Sequence, residues 1–168
     1  MKNVFLIGLL GSIAIAANGQ IEQSPANLTF SKNPGVTRSS HFITRVKPAV
    51  LRNFERSYGH VSNETWFELE NGFAAKFNVN NIDYLVAYDK KGVWLHTIKT
   101  YGESELLPNI RHIVKSSYYD YNISFVQEIE KPRDTFTYIV HLAGNTKLIN
   151  LRIYNGEMEE WQRFEKSD

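Results

Sequence analysis

The 168 residues are 42% hydrophobic and 22% charged, with 19 basic and 18 acidic side chains and no cysteine. That balance excludes a disordered chain, which would be poorer in apolar residues, and a fold stapled by disulfides. A net charge near zero without a basic stripe argues against a nucleic-acid partner, because a phosphate backbone calls for cations that displace its counterions.

The chain begins Met1-Lys2-Asn3, continues through an apolar run at 4–17, and then reads Asn18-Gly19-Gln20. Basic, hydrophobic and small-residue regions in that order predict a secretory signal peptide over residues 1–19, with cleavage after Gly19. The apolar run is too short for a typical membrane span, so no span is expected once the signal is removed. No cysteine follows the run, which closes the lipoprotein route. Removal of Lys2 with the signal leaves 18 basic against 18 acidic residues. The expected location is the periplasm or the cell exterior. A cysteine-free exported chain suits a bacterial periplasm better than a small eukaryotic extracellular module, and the sequons at Asn27, Asn63 and Asn122 would matter only in a eukaryotic host.

Residues 20–44 carry Ser, Asn, Pro and Gly without a sustained period, which predicts a flexible or loosely docked segment. From Pro48 the pattern is helical: Val50, Leu51, Phe54 and Tyr58 share a face, and Gly59 is a natural stop. The helix is expected over 47–58. Alternation then predicts strands: Thr65, Phe67 and Leu69 before an Asn71-Gly72 turn, Phe73, Ala75, Phe77 and Val79 after it, and Asn80-Asn81 as the next turn. The run 84–98 reads as a hairpin in which two β-branched and aromatic strands flank Asp89-Lys90-Lys91-Gly92.

The pattern restarts at Pro108, where Ile110, Ile113, Val114 and Tyr118 share the face of a second helix. Pro48 and Pro108, Val50 and Ile110, Phe54 and Val114, and Glu68 and Glu128 all stand sixty positions apart. Past Lys131-Pro132-Arg133-Asp134 the offset grows, so that Phe77 matches Val140, Tyr84 matches Ile149, Val86 matches Leu151 and Gly92 matches Gly156. A constant offset over several positions indicates an internal repeat. The expected fold class is therefore α+β: two tandem units at 45–101 and 102–168, each one helix packed on a four-stranded antiparallel sheet. One pair conflicts. Phe67, expected on the inner face, aligns with Gln127, which calls for a bulge or a different register between the halves.

Two units that open with Pro and a helix ending in Ser-Tyr, pass through Trp66-x-Glu68, and close on Tyr84, Tyr88-Asp89, Gly92 and Trp94-Leu95 resemble the PepSY-like family of secreted bacterial proteins, which is related in fold to the β-lactamase inhibitor protein. The first unit is the closer match. In the second, Pro108, Tyr118, Glu128, Asn155 and Gly156 carry the resemblance, and Tyr154 and Met158 replace the hairpin's aspartate and tryptophan. The resemblance implies helices on one sheet face, a partly open opposite face, and protein binding or inhibition instead of catalysis. It carries over no catalytic residues.

The residues themselves point to no enzyme chemistry. His41, His60, His96, His112 and His141 form no His-x-x-x-His pair for zinc, and no Gly-x-Ser-x-Gly elbow is present. Ser39-Ser40-His41 falls in the loose segment, where a catalytic geometry would be hard to hold. Glu64, Glu68 and Glu70 read as a solvated strand face before a glycosidase pair, and the turn at Asp89 lacks the further oxygen ligands of a calcium loop. No metal and no cofactor is expected.

Strand parity puts Phe73, Phe77, Tyr84, Val86, Tyr88, Phe136, Tyr138, Val140, Ile149, Leu151 and Ile153 under the helices. It collects Trp66, Glu68, Lys76, Leu85, Arg152 and Tyr154, with Trp94 beside them, on the open face. Tryptophan, tyrosine and arginine together have the composition of a protein-binding hot spot. The sequence thus predicts an exported, non-catalytic protein that binds or inhibits a protein or peptide through that face. A structural or envelope-associated module without a discrete ligand is the alternative, and a hydrolase ranks third.

Overall fold

The structure is a computed structural model and describes residues 45–61 and 63–166. The expected signal peptide, the segment at 20–44 and His41 lie outside the described residues.

Helix α1 (Pro48–Tyr58) starts on a proline in its first turn, where a missing N–H costs nothing, and buries Val50 and Phe54. It ends at Gly59, whose φ of 67° releases the chain while its N–H donates to the Glu55 carbonyl. Four strands follow: β1 (Thr65–Leu69), β2 (Gly72–Val79), β3 (Ile82–Asp89) and β4 (Trp94–Tyr101). A short 3₁₀ turn leads to α2 (Pro108–Ser117), which buries Ile110 and Val114. Then come β5 (Asn122–Lys131), β6 (Thr135–Ala143), β7 (Lys147–Tyr154) and β8 (Glu157–Glu165).

The eight strands form one antiparallel sheet in sequential order, so the expected pair of separate four-stranded sheets is corrected: the described chain is mostly β, one sheet with only two helices. The overturning contact is the ladder between β4 and β5, from Thr97↔Glu130 to Tyr101↔Val126. Left alone, β4 would present a row of unpaired N–H and C=O groups. The connection through α2 returns the chain antiparallel beside it, and the two halves fuse. Alternation within each half specifies strands but not the partner of an outermost strand, which is why the repeat suggested two sheets.

Both helices pack on the same face, over two apolar clusters. One gathers Val50, Phe54, Trp66, Phe77, Val86 and Tyr88 under α1. The other gathers Ile110, Val114, Val126, Val140, Leu151 and Ile153 under α2. Between them, at the centre of the sheet, the inner face is polar. Glu128 is 8% exposed and accepts hydrogen bonds from the Tyr101 hydroxyl at 2.6 Å and from Lys99 Nζ at 2.8 Å. Burial and the Glu128 carboxylate both raise Tyr101 far above the ordinary phenol value. For Lys99, burial pulls the pKa down, but Glu128 outweighs it and the net direction is up.

The conflict between Phe67 and Gln127 resolves without a shifted register. Phe67 pairs with Ala74 and Gln127 with Ile139, all on the face away from the helices, whereas their neighbours Trp66 and Val126 both point inward and are buried.

Candidate functional site

The face away from the helices is built from every second residue of the ladder. A single row crosses six strands as Lys76, Leu85, Ile98, Ile129, Thr137 and Tyr154, each paired with the next. Five strand spacings make that row about 24 Å long. Leu85, Ile98 and Ile129 are half-buried; Lys76 and Tyr154 are exposed at its two ends. No described helix packs on this face.

A parallel row holds Gln127, Ile139, Arg152 and Glu159, with Arg152 Nε 2.6 Å from the Glu159 carboxylate. Both partners are about half exposed, so this pair orients side chains more than it stabilises the fold. Beyond it the Phe125 and His141 rings stack at 3.9 Å, and His141 Nε2 lies 3.2 Å from Gln127 Oε1. Burial lowers the pKa of both outer-face imidazoles, His96 and His141, so neither is charged near neutral pH.

Four of the seven residues expected on this face are there: Lys76, Leu85, Arg152 and Tyr154. Trp66 and Trp94 are on the helix side. The two-residue turn at Glu70-Asn71 pairs Leu69 with Gly72, which sets Trp66 opposite the buried Ala75 and leaves the tryptophan 3% exposed against Phe54. Crossing a two-residue turn reverses the odd-even sense of the inner face, and counting parity straight through it put Trp66 on the wrong side. Trp94 is turned in by a bulge: Ala87 pairs with His96 but Tyr88 with Trp94, and the indole N–H donates to Thr97 Oγ1 at 3.0 Å. Glu68 shares the inner parity of Trp66 but is exposed near the sheet's edge.

Ile98, Ile129, Ile139 and the Phe125–His141 stack were missed. The signal that could have found them is the pairing set by each hairpin turn, carried across β4 and β5. Of the remaining histidines, His60 and His112 are exposed away from this face, and among the described residues no group of three metal-ligating side chains converges.

No protein-family model matches the sequence, and no curated protein is detectably similar to it. Solved structures are similar in fold. A BLIP-like protein from Bacteroides fragilis has a TM-score of 0.60 at 17% identity, covering 73% of this chain and 89% of its own. A DUF2874 family protein from Bacteroides uniformis has a TM-score of 0.58 at 14% identity, covering 71% and 89%. A predicted periplasmic protein from Bacteroides eggerthii has a TM-score of 0.58 at 13% identity, covering 71% and 88%. At these identities the likeness establishes the fold, which is BLIP-like.

Proposed function

We propose that this is an exported, non-catalytic binding protein of PepSY-like descent, and that it takes a protein or peptide on the outer face of its sheet. The observation that carries the reading is the row from Lys76 to Tyr154. It is a row about 24 Å long with an apolar centre, Lys76 at one end and Tyr154 at the other beside Arg152 of the parallel row, on a face that no described helix covers. Leu85, Ile98 and Ile129 supply the apolar centre, Tyr154 the aromatic anchor, and the Lys76 and Arg152 charges the orientation; that division is the usual anatomy of a protein interface. Binding there acts by occluding or sequestering the partner. The apolar run at 4–17 and the likeness in fold to a predicted periplasmic protein support export.

The test is affinity capture from periplasmic extract with wild type, an Ile98→Glu, Ile129→Glu variant, and an Arg111→Glu variant on the far side of the molecule. Loss of a specific partner only with the first variant supports the reading. Equal recovery of every protein by all three refutes it and favours a structural module. Export is checked separately, by N-terminal sequencing of the protein from the periplasm. A chain beginning at Gln20 is expected, and one retained in the cytoplasm with Met1 intact rejects export.

A further inference from the structure

In a sequential antiparallel sheet every second turn emerges at the same end. The turns β1–β2, β3–β4, β5–β6 and β7–β8 therefore cluster, and those of β3–β4 and β5–β6 lie about two strand spacings, roughly 10 Å, apart. The start of α1 joins them. A Cβ placed on Gly92 would sit 2.9 Å from the Ala49 carbonyl carbon, and Asn53 Nδ2 donates to the Gly92 carbonyl at 3.1 Å. This end of the molecule collects six cations: Arg45, Lys47, Lys90, Lys91, Lys131 and Arg133. All six are exposed, and none takes part in an ion pair among the described residues.

Four acidic residues share the end: Glu70, Asp89, Asp134 and, at the β7–β8 turn, Glu157. Asp89 is turned back on its own loop, accepting the N–H groups of Lys91 and Val93 at 2.8 Å each. The cations thus outnumber the acids six to four on a chain whose overall charge is close to zero, and the lysines of the tip form no ion pair among the described residues. Val93 projects from the same tip, 56% exposed, beside the exposed Leu95 of the bulge. An apolar tip ringed by lysines and arginines is the chemistry of a surface that meets anionic headgroups and dips one apolar group into the acyl boundary.

We propose that the hairpin end of this protein docks on an anionic phospholipid surface, through Lys90, Lys91, Lys131 and Arg133 with Val93 at the point of contact. Held this way, the protein would stand with its strands rising from the membrane and the outer face of the sheet accessible from the side. Electrostatic attraction of this kind changes partitioning by about fivefold per basic residue. It weakens as salt shortens the Debye length.

The experiment is co-sedimentation of the full chain with vesicles of phosphatidylcholine alone and of phosphatidylcholine mixed with phosphatidylglycerol, at low and physiological salt. The apolar run at 4–17 is common to all variants and both vesicle types, so the readout is the ratio of the two partition coefficients. A Lys90→Gln, Lys91→Gln variant is expected to lower that ratio about 25-fold, and Val93→Asn to lower binding to anionic vesicles several-fold. A Lys147→Gln, Lys166→Gln variant removes the same charge from the opposite end and is expected to leave the ratio near wild type. Circular dichroism confirms that each variant is folded; Asp89 and Gly92, which shape the turn, are untouched. Equal loss from the two double variants would mean that net charge alone matters and would overturn the proposal. A ratio near one for wild type, whether from no binding or from equal binding to both vesicles, would overturn it as well and leave an acidic protein as the partner for these cations.

Discussion

Replacing Glu128 by leucine should destabilise the protein more than any substitution of an exposed charge, and the structure gives the size. The carboxylate is 11% exposed at the side chain and accepts from Lys99 Nζ at 2.8 Å and from the Tyr101 hydroxyl at 2.6 Å. Removing one member of a buried pair typically costs about 3–5 kcal/mol. Lys99 is 26% exposed and keeps Glu130 at 3.7 Å, which reduces the penalty of stranding it. The buried Tyr101 hydroxyl then lacks its acceptor, at about 1–3 kcal/mol. Together these place Glu128→Leu at about 3 kcal/mol, which at an m-value of about 2 kcal/mol/M moves the urea midpoint down by about 1.5 M. The paired variant Lys99→Met, Glu128→Leu removes both charges and should cost only about 1 kcal/mol, mainly the orphaned hydroxyl. Urea unfolding followed by circular dichroism measures wild type, the two single variants Lys99→Met and Glu128→Leu, and the pair. A loss below about 0.5 kcal/mol for Glu128→Leu, or a paired variant costing the sum of its singles, would refute the picture of a coupled buried pair.

Three further outcomes follow from the packing. Trp66→Ala should cost about 3–5 kcal/mol, because it empties a site between Phe54 and Tyr88; thermal melting checks it, and a change under 1 kcal/mol would return Trp66 to the surface. The Tyr88 hydroxyl is buried without a partner among the described residues, and its pKa is raised chiefly by burial. Tyr88→Phe should therefore leave stability unchanged or raise it by up to about 1 kcal/mol, and a clear loss would reveal a partner for the oxygen. Asp89 is held below the ordinary carboxylate range by the N–H groups of Val93, Lys91 and Gly92. A depressed folded-state pKa adds stability above the unfolded value and loses it as pH falls through the folded one. Asp89→Asn should therefore flatten the acid limb of a plot of melting temperature against pH, and an unchanged limb would count against this account.

The outer face was half legible. Lys76, Leu85, Arg152 and Tyr154 follow from alternation, because a side chain's face depends only on its own strand once that strand's buried set is known. Trp66 and Trp94 were misplaced because a turn and a bulge intervene, and each changes which residues oppose one another. The isoleucines at 98 and 129 meet only through the β4–β5 ladder, which joins residues from different halves of the repeat.

The sequence by itself determined the local elements. Proline starts, the Gly59 stop and the Asn80-Asn81 turn are short-range features, and both helices and the strands of the first half lie close to where these signals put them, although the turn expected at Asn71-Gly72 is made by Glu70-Asn71. It could not determine what each edge pairs with. Glu68 and Glu128 occupy matching positions in the repeat, yet the first stands exposed on the edge strand β1, while the second is sealed in mid-sheet by Tyr101 and Lys99. Only the tertiary structure decided that difference, because burial and charge pairing depend on neighbours that the chain brings together from far apart.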